Sequence, residues 1–145
     1  MTGRVNPVAQ GAAPVVMRPA VNEDNAYFWD GVAAGELRIQ RCAECALLRH
    51  PSSPCCGGCG SLDWNWVPAS GAGWLHSHAV VHHPLLPPFT EPYAVAMIEL
   101  AEGVRLVSQL TGFDLSAIAV GAAVRVVFVE VADGLTLPLF EPGAP

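Results

Sequence analysis

Three observations predict a mainly β protein. Two Cys-x-x-Cys pairs lie ten residues apart, five β-patterned runs follow them, and one helical stretch precedes them. Together they give an N-terminal helix at 21–35, a rubredoxin-like zinc ribbon at 36–70 and a five-stranded OB-fold barrel at 71–142, after a flexible leader or linker at 1–20. At 145 residues the chain has room for one ordinary domain or two very small ones. A ribbon this short holds almost no apolar core, so the rest of the chain is expected to hold a separate one.

The leader carries Pro, Gly and Ala without a sustained period, and its only charges are two arginines. It lacks the basic start, continuous apolar run and cleavage site of a signal peptide, so the expected location is cytoplasmic. The helix follows: Asn22 can cap it, Glu23 and Asp24 suit its positive end, Phe28 and Val32 share a face, and Gly35 stops it. Tyr27, Phe28 and Trp29 are large for so short a helix. They read as packing against the ribbon or a partner rather than stacking on a ligand.

The stretch 37–41 alternates and runs as a strand into Cys42. Cys42 with Cys45, and Cys56 with Cys59, present two pairs of sulfurs that a hairpin can bring together as a tetrahedron around zinc. Four thiolates leave no open position for water or substrate, so the expected metal is structural. Cys55 stands beside the second pair in a poorer spacing and reads as a bystander, a small semi-buried residue. A disulfide scaffold is disfavoured because the cysteines cluster in one segment with no secretory signal before them. Leu47, Leu48 and Arg49 form the returning strand, and His50 an exposed loop histidine rather than a ligand. Arg38, Arg41 and Arg49 are the only local concentration of positive charge, placed to offset a four-thiolate site or to meet a ligand phosphate.

Residues 62–67 close the ribbon. The barrel runs are 74–83, 93–101, 104–111, 123–131 and 135–140, with hairpin turns at Glu102-Gly103 and Asp133-Gly134 and a longer interruption at 112–121. Between the first two runs, residues 82–92 carry four prolines, and Leu85, Leu86 and Phe89 would be exposed there. This reads as a docking or lid loop, or as a stiff loop folded over the barrel end. His82 and His83 have no carboxylate or nucleophile near them in sequence to support a general base.

Composition limits the function. Seven arginines and no lysine stand against thirteen acids, giving −6, which repels phosphate backbones. Only 14% of residues are charged while 52% are apolar. With no run long enough to span a membrane, the apolar surplus is expected on a surface meant for another protein.

The ordered series Phe28-Trp29-Asp30-Gly31, Gly35-Glu36-Leu37, the ribbon, Gly73-Trp74-Leu75-His76-Ser77-His78, residues 92–100, residues 102–106 and residues 121–128 resembles the acyl-CoA-associated zinc-ribbon plus OB-fold family. The resemblance covers nearly everything from 20 to 142. It implies an accessory protein, without catalysis of its own, that binds a thiolase-like aldolase or lyase acting on an acyl-CoA thioester. In the branch it is closest to in character, that action is the retro-aldol cleavage of a steroid side-chain CoA ester. A partner that is a thiolase, a condensing synthase or a CoA-ester hydratase is the alternative. The cofactors implied are structural zinc and, for the complex, a CoA thioester. Contacts with partner or CoA are expected at Arg38, Arg41, Arg49, His82, His83, Leu85, Leu86 and Phe89. A single-stranded nucleic-acid binder is the other alternative, opposed by the net charge and by the shortage of aromatics on the middle strands.

Overall fold

Residues 16–144 are described in the computed structural model; the expected leader lies mostly outside the described residues. The helix α1 spans Ala26–Ala33 and starts later than the sequence reading places it. The Asn22 side chain accepts the Asp24 amide in a local turn at 3.0 Å, and the backbone carbonyl of Asn22 accepts the Ala26 amide at 2.9 Å. Glu23 and Asp24 are therefore in a preceding turn, and Asn25 occupies the cap position without a side-chain cap bond. At the other end Gly35 has φ +74°. The Glu36 amide reaches the Gly31 carbonyl at 2.8 Å and the Gly35 amide the Val32 carbonyl at 3.1 Å. These are the paired bonds of a Schellman stop, which needs a residue in the left-handed region.

The ribbon is a three-stranded sheet of β1 (Arg38–Cys42), β2 (Leu48–Arg49) and β3 (Trp64–Pro68), in the order β2-β1-β3 and antiparallel throughout. The barrel consists of β4 (Ala72–Val81), β5 (Tyr93–Leu100), β6 (Arg105–Gln109), β7 (Ala123–Ala132) and β8 (Leu135–Pro142). Its order is β6-β5-β4-β7-β8, and a parallel bridge between Leu110 and Phe140 brings the two edges together. The five strands thus form a nearly closed barrel of OB type. β4 pairs with β7 only through residues 72–74 and bulges between Leu75 and Ser77. Gly73 sits where a Cβ would lie 2.5 Å from the Glu99 carbonyl oxygen, so close a strand approach admits only glycine. The connection 112–121 forms turns, and Phe113, Leu115 and Ile118 pack against the core.

That core is shared. Leu37 and Ile39 of the ribbon side, Phe28 and Val32 of α1, and Leu75, Ile98 and Phe140 of the barrel belong to one buried cluster. The Ala69 amide also donates to the Leu37 carbonyl at 2.7 Å. The expectation of a separate core behind the ribbon is corrected here: a three-stranded sheet with one apolar face buries that face most economically against its neighbour. No helix among the described residues is long and apolar enough to cross a membrane.

Candidate metal centre and contact surfaces

Two near-identical knuckles hold the cysteines. In the first, the Cys42 amide donates to the Leu47 carbonyl at 2.9 Å and the Ala46 amide to the Cys42 carbonyl at 3.1 Å. In the second, the Cys56 amide donates to the Ser61 carbonyl at 2.9 Å and the Gly60 amide to the Cys56 carbonyl at 2.8 Å. Each turn needs a left-handed residue after its second cysteine. Gly60 supplies it at φ +78°, and Ala46 adopts it at φ +62°.

The four sulfurs of Cys42, Cys45, Cys56 and Cys59 lie within 4.8 Å of one another. Cys42 to Cys59 is 3.6 Å and Cys45 to Cys56 is 3.5 Å. Zinc–sulfur bonds of about 2.3 Å in a tetrahedron require sulfur separations of about 3.8 Å, so the donor set fits a zinc ion. Amide donors favour the thiolate at the first cysteine of each pair. Cys45 donates to Cys42 Sγ at 3.5 Å and Gly58 to Cys56 Sγ at 3.4 Å. The Cys59 and Gly58 amides hold the Cys56 thiol down to about 6, and the Cys45 amide lowers that of Cys42. At Cys59 the Ser61 amide pulls the same way, but the thiols of Cys42, Cys45 and Cys56 outweigh it and push Cys59 up to about 12. At Cys45 the Leu47 amide likewise favours the thiolate, as does Cys59, while Cys56 foremost, then burial and Cys42, raise it. Four negative charges at this spacing call for a cation among them. Cys55 lies outside the cluster and is exposed rather than semi-buried; its Sγ donates to the Gly60 carbonyl at 3.5 Å.

The three arginines are spread through the ribbon with different partners. Arg38 is paired with Glu36 at 2.6 Å and lies 4.0 Å over the Trp66 ring. Arg41 donates to Asn65 Oδ1 at 2.8 Å. Arg49 donates to Gln40 Oε1 at 2.7 Å and to the Ser53 carbonyl at 3.2 Å. Gln40, fully buried, also receives the Ser53 amide at 2.9 Å and donates to the Ser53 carbonyl at 3.1 Å. This carboxamide ties β1 to the loop before the second knuckle. Sequence reading missed it, since a glutamine inside an alternating strand carries no signal of its own. His50 is half-buried against Phe28, with ring centroids 5.2 Å apart, and burial lowers its pKa. This corrects the exposed loop histidine: the loop turns inward against α1. Tyr27 packs on Trp64 at 5.1 Å, with Phe28 buried beside it.

In the loop 82–92, His82 and His83 are exposed. Leu86 is 65% exposed, whereas Leu85 and Phe89 are half-buried. Phe89 stacks on Tyr93 at 3.7 Å and 15°, so the loop is partly folded down and partly presented. Phe28 and Trp29, residues 50–52, residues 106–109 and residues 137–139 line a pocket of about 400 Å³ between α1, the ribbon loop and the barrel.

Comparison with known proteins places both halves of this geometry. Residues 29–65 match the ChsH2 rubredoxin-like zinc ribbon domain, and residues 66–129 the ChsH2 C-terminal OB-fold domain. The chain is 48% identical over 128 residues to a probable enoyl-CoA hydratase alpha subunit of Thermomonospora curvata, covering 88% of this chain and 40% of that protein. It is 43% identical over 118 residues to the 3-oxo-4,17-pregnadiene-20-carboxyl-CoA hydratase alpha subunit of Mycobacterium tuberculosis, covering 81% and 38%. The chain thus spans about two fifths of the length of these two relatives. A DUF35 domain-containing scaffold protein of Methanothermobacter thermautotrophicus is 35% identical over 100 residues, 66% of this chain and 73% of that one. Among solved structures, a chain of an Ltp2-ChsH2(DUF35) aldolase superposes with a TM-score of 0.83 at 48% identity, covering 86% of this chain and 98% of that chain. A DUF35-family protein of unknown function from Sulfolobus solfataricus, at 15% identity and a TM-score of 0.59 over 84% and 87%, shares the fold.

Proposed function

The chain belongs to the DUF35 family of ChsH2-type zinc-ribbon and OB-fold proteins, and from that premise we propose that it is the accessory partner of a thiolase-like aldolase. The enzyme it serves cleaves an acyl-CoA thioester by a retro-aldol reaction. One observation carries the reading: the chain matches 98% of a chain in the Ltp2-ChsH2(DUF35) aldolase at 48% identity. A steroid side-chain CoA ester is the substrate we favour, because the M. tuberculosis relative is named for a pregnadiene carboxyl-CoA. The hydratase alpha subunits among the relatives support a second reading, in which the same module serves a CoA-ester hydratase.

In the proposed reaction a base takes the β-hydroxyl proton, the Cα–Cβ bond breaks to leave a carbonyl, and the electron pair passes to the thioester enolate, which is then protonated. The base and the donors that hold the enolate belong to the partner. This chain contributes shape. Zinc held by Cys42, Cys45, Cys56 and Cys59 supplies structure alone, because four thiolates complete its coordination. Of the three ribbon arginines, Arg41 is the one best placed to meet a CoA phosphate. Arg38 is already paired with Glu36, and Arg49 is engaged inside the ribbon. On this reading the exposed Leu86, with the half-buried Leu85 and Phe89 behind it, meets the partner beside His82 and His83. Nucleic-acid binding is less well supported: the outer strand face offers Trp74 and Tyr93, and its Arg105 is paired with Glu99 at 3.3 Å.

The test is co-elution with the aldolase and its turnover with and without this chain. We expect no cleavage by this chain alone and a large loss of aldolase activity without it. Replacing Leu85, Leu86 and Phe89 together by serine should weaken the complex while zinc content stays at one per chain. Full aldolase activity in the absence of this chain would reject the accessory role.

A further inference from the structure

The outward side of β5 is unusual for a sheet in contact with water. Ala94, Ala96, Ile98 and Leu100 point into the barrel, yet the intervening Tyr93, Val95 and Met97 are also uncharged and largely apolar. Register places Val107 of β6 opposite Met97 and Gln109 opposite Val95, with Ser77 and Ala79 of β4 on the other flank. A one-sided antiparallel sheet normally alternates apolar inside with polar outside. Here neither side carries a charge until the row of Glu99 and Arg105, which neutralise each other. Val107 is 61% exposed, and the Phe89–Tyr93 stack extends the same stripe toward the loop.

The face does not end at β6. Val107 and Gln109 also line the 400 Å³ pocket whose opposite wall is Phe28, Trp29 and Pro51. A half-buried apolar face running into an aromatic socket is the layout of a protein interface with one buried anchor, since anchors concentrate binding energy in such pockets. The net charge of the segment that builds this face points to the partner's charge. Residues 71–144 hold seven carboxylates and two arginines; those arginines are paired with Glu99 and Glu141. Two copies of a chain at −6 meeting there would repel, whereas a basic rim would be attracted.

We propose that the outer face of β5 and β6, with the socket between β6 and α1, seats a protein partner presenting an apolar anchor ringed by lysines and arginines. The identity of that partner as the aldolase rests on the function proposed above. A titration of the zinc-loaded chain with the purified Ltp2-type aldolase subunit tests both, and the outcomes separate them. Val107→Asp and Met97→Asp should each weaken binding about thirtyfold or more, the scale of a lost hot spot. The uncharged Val107→Gln should weaken it less, and Val120→Asp, which adds the same charge off this face, should leave it unchanged. Affinity should fall as salt rises from about 0.05 to about 0.5 M. Zinc content and the thermal midpoint of each variant report whether it is folded. No binding by the unmutated chain overturns both the accessory role and this seat. Binding that the face variants leave intact overturns the seat alone, and affinity indifferent to salt overturns the basic rim. A dimer of this chain that Val107→Asp dissociates would assign the face to a second copy and likewise overturn the proposal.

Discussion

Truncating Ile39 to alanine tests whether ribbon and barrel stand or fall together. Ile39 has no exposed surface, sits opposite Val67 in the ribbon sheet, and shares its cluster with Leu75, Ile98 and Phe140. The change deletes three carbons, about 2.4 kcal/mol of transfer free energy at about 0.8 kcal/mol for each. The cavity left behind raises the loss to about 3–4 kcal/mol, because barrel and ribbon cannot both close over it. In a chain of this size that corresponds to a fall in Tm of roughly 10 °C. The assay is a thermal scan followed by far-ultraviolet circular dichroism, which reports the barrel strands, and by zinc release to a chromophoric chelator. Both midpoints should drop together. A drop in zinc release with the strand transition unmoved would refute the shared core and restore two independent units.

Elemental analysis should find one zinc per chain in the unmutated protein and in Cys55→Ser, and a loss of zinc in Cys56→Ser; the reverse pattern would overturn the ligand assignment. Ala46→Gly should raise the thermal midpoint slightly, since a left-handed alanine costs about 1–2 kcal/mol and the extra freedom of an unfolded glycine offsets about 0.4–1 kcal/mol of the gain. An unchanged or lower midpoint counts against strain at that knuckle. Burial lowers the His50 pKa, so the unfolded chain binds its proton first. The associated stability is present above about pH 6.5 and lost as pH falls below it toward the folded value. Denaturant titrations of His50→Gln should show a flatter acid limb than the parent, and equal slopes would dismiss His50 as its source.

The order of elements was legible because each rule acts over a few residues. The Cys-x-x-Cys spacing fixes two turns, and Gly35, Gly103 and Gly134 sit at positive φ where the reading placed a helix stop and two hairpin turns. The five barrel runs appear as strands with ends shifted by a few residues. The helix start was misplaced because an asparagine can close a local turn as readily as it caps a helix, and only the later residues decide which. What the sequence could not show was pairing across distance. Arg49 reads as a free cation, but its fate depends on Gln40, nine residues earlier, and on Ser53. His50 reads as exposed until α1 folds over it. The outward face of β5 was visible in principle, since the run 93–98 is apolar or small at both parities; a strand buried on one side would have broken that run with polar residues.

That face takes up part of the apolar surplus inferred from composition. A chain with 52% apolar residues and only 14% charged ones must place the excess either in an enlarged core or on its surface. The core is bounded by a five-stranded barrel already filled by Ile98, Leu106 and Phe140, with the ribbon and α1 closing over it. The remainder is spread over the surface: Leu62, Val120, Leu86, Val107 and Trp74 stay 69%, 67%, 65%, 61% and 50% exposed. Keeping such residues outward is tolerable only if the fold does not depend on collapsing around them, and here the metal knuckles and the shared core provide that independence. The ribbon thus has a role beyond holding its own loop: through β1 it packs on α1, which also packs on β8, and so α1 and residues 50–52 line one pocket with β6 and β8.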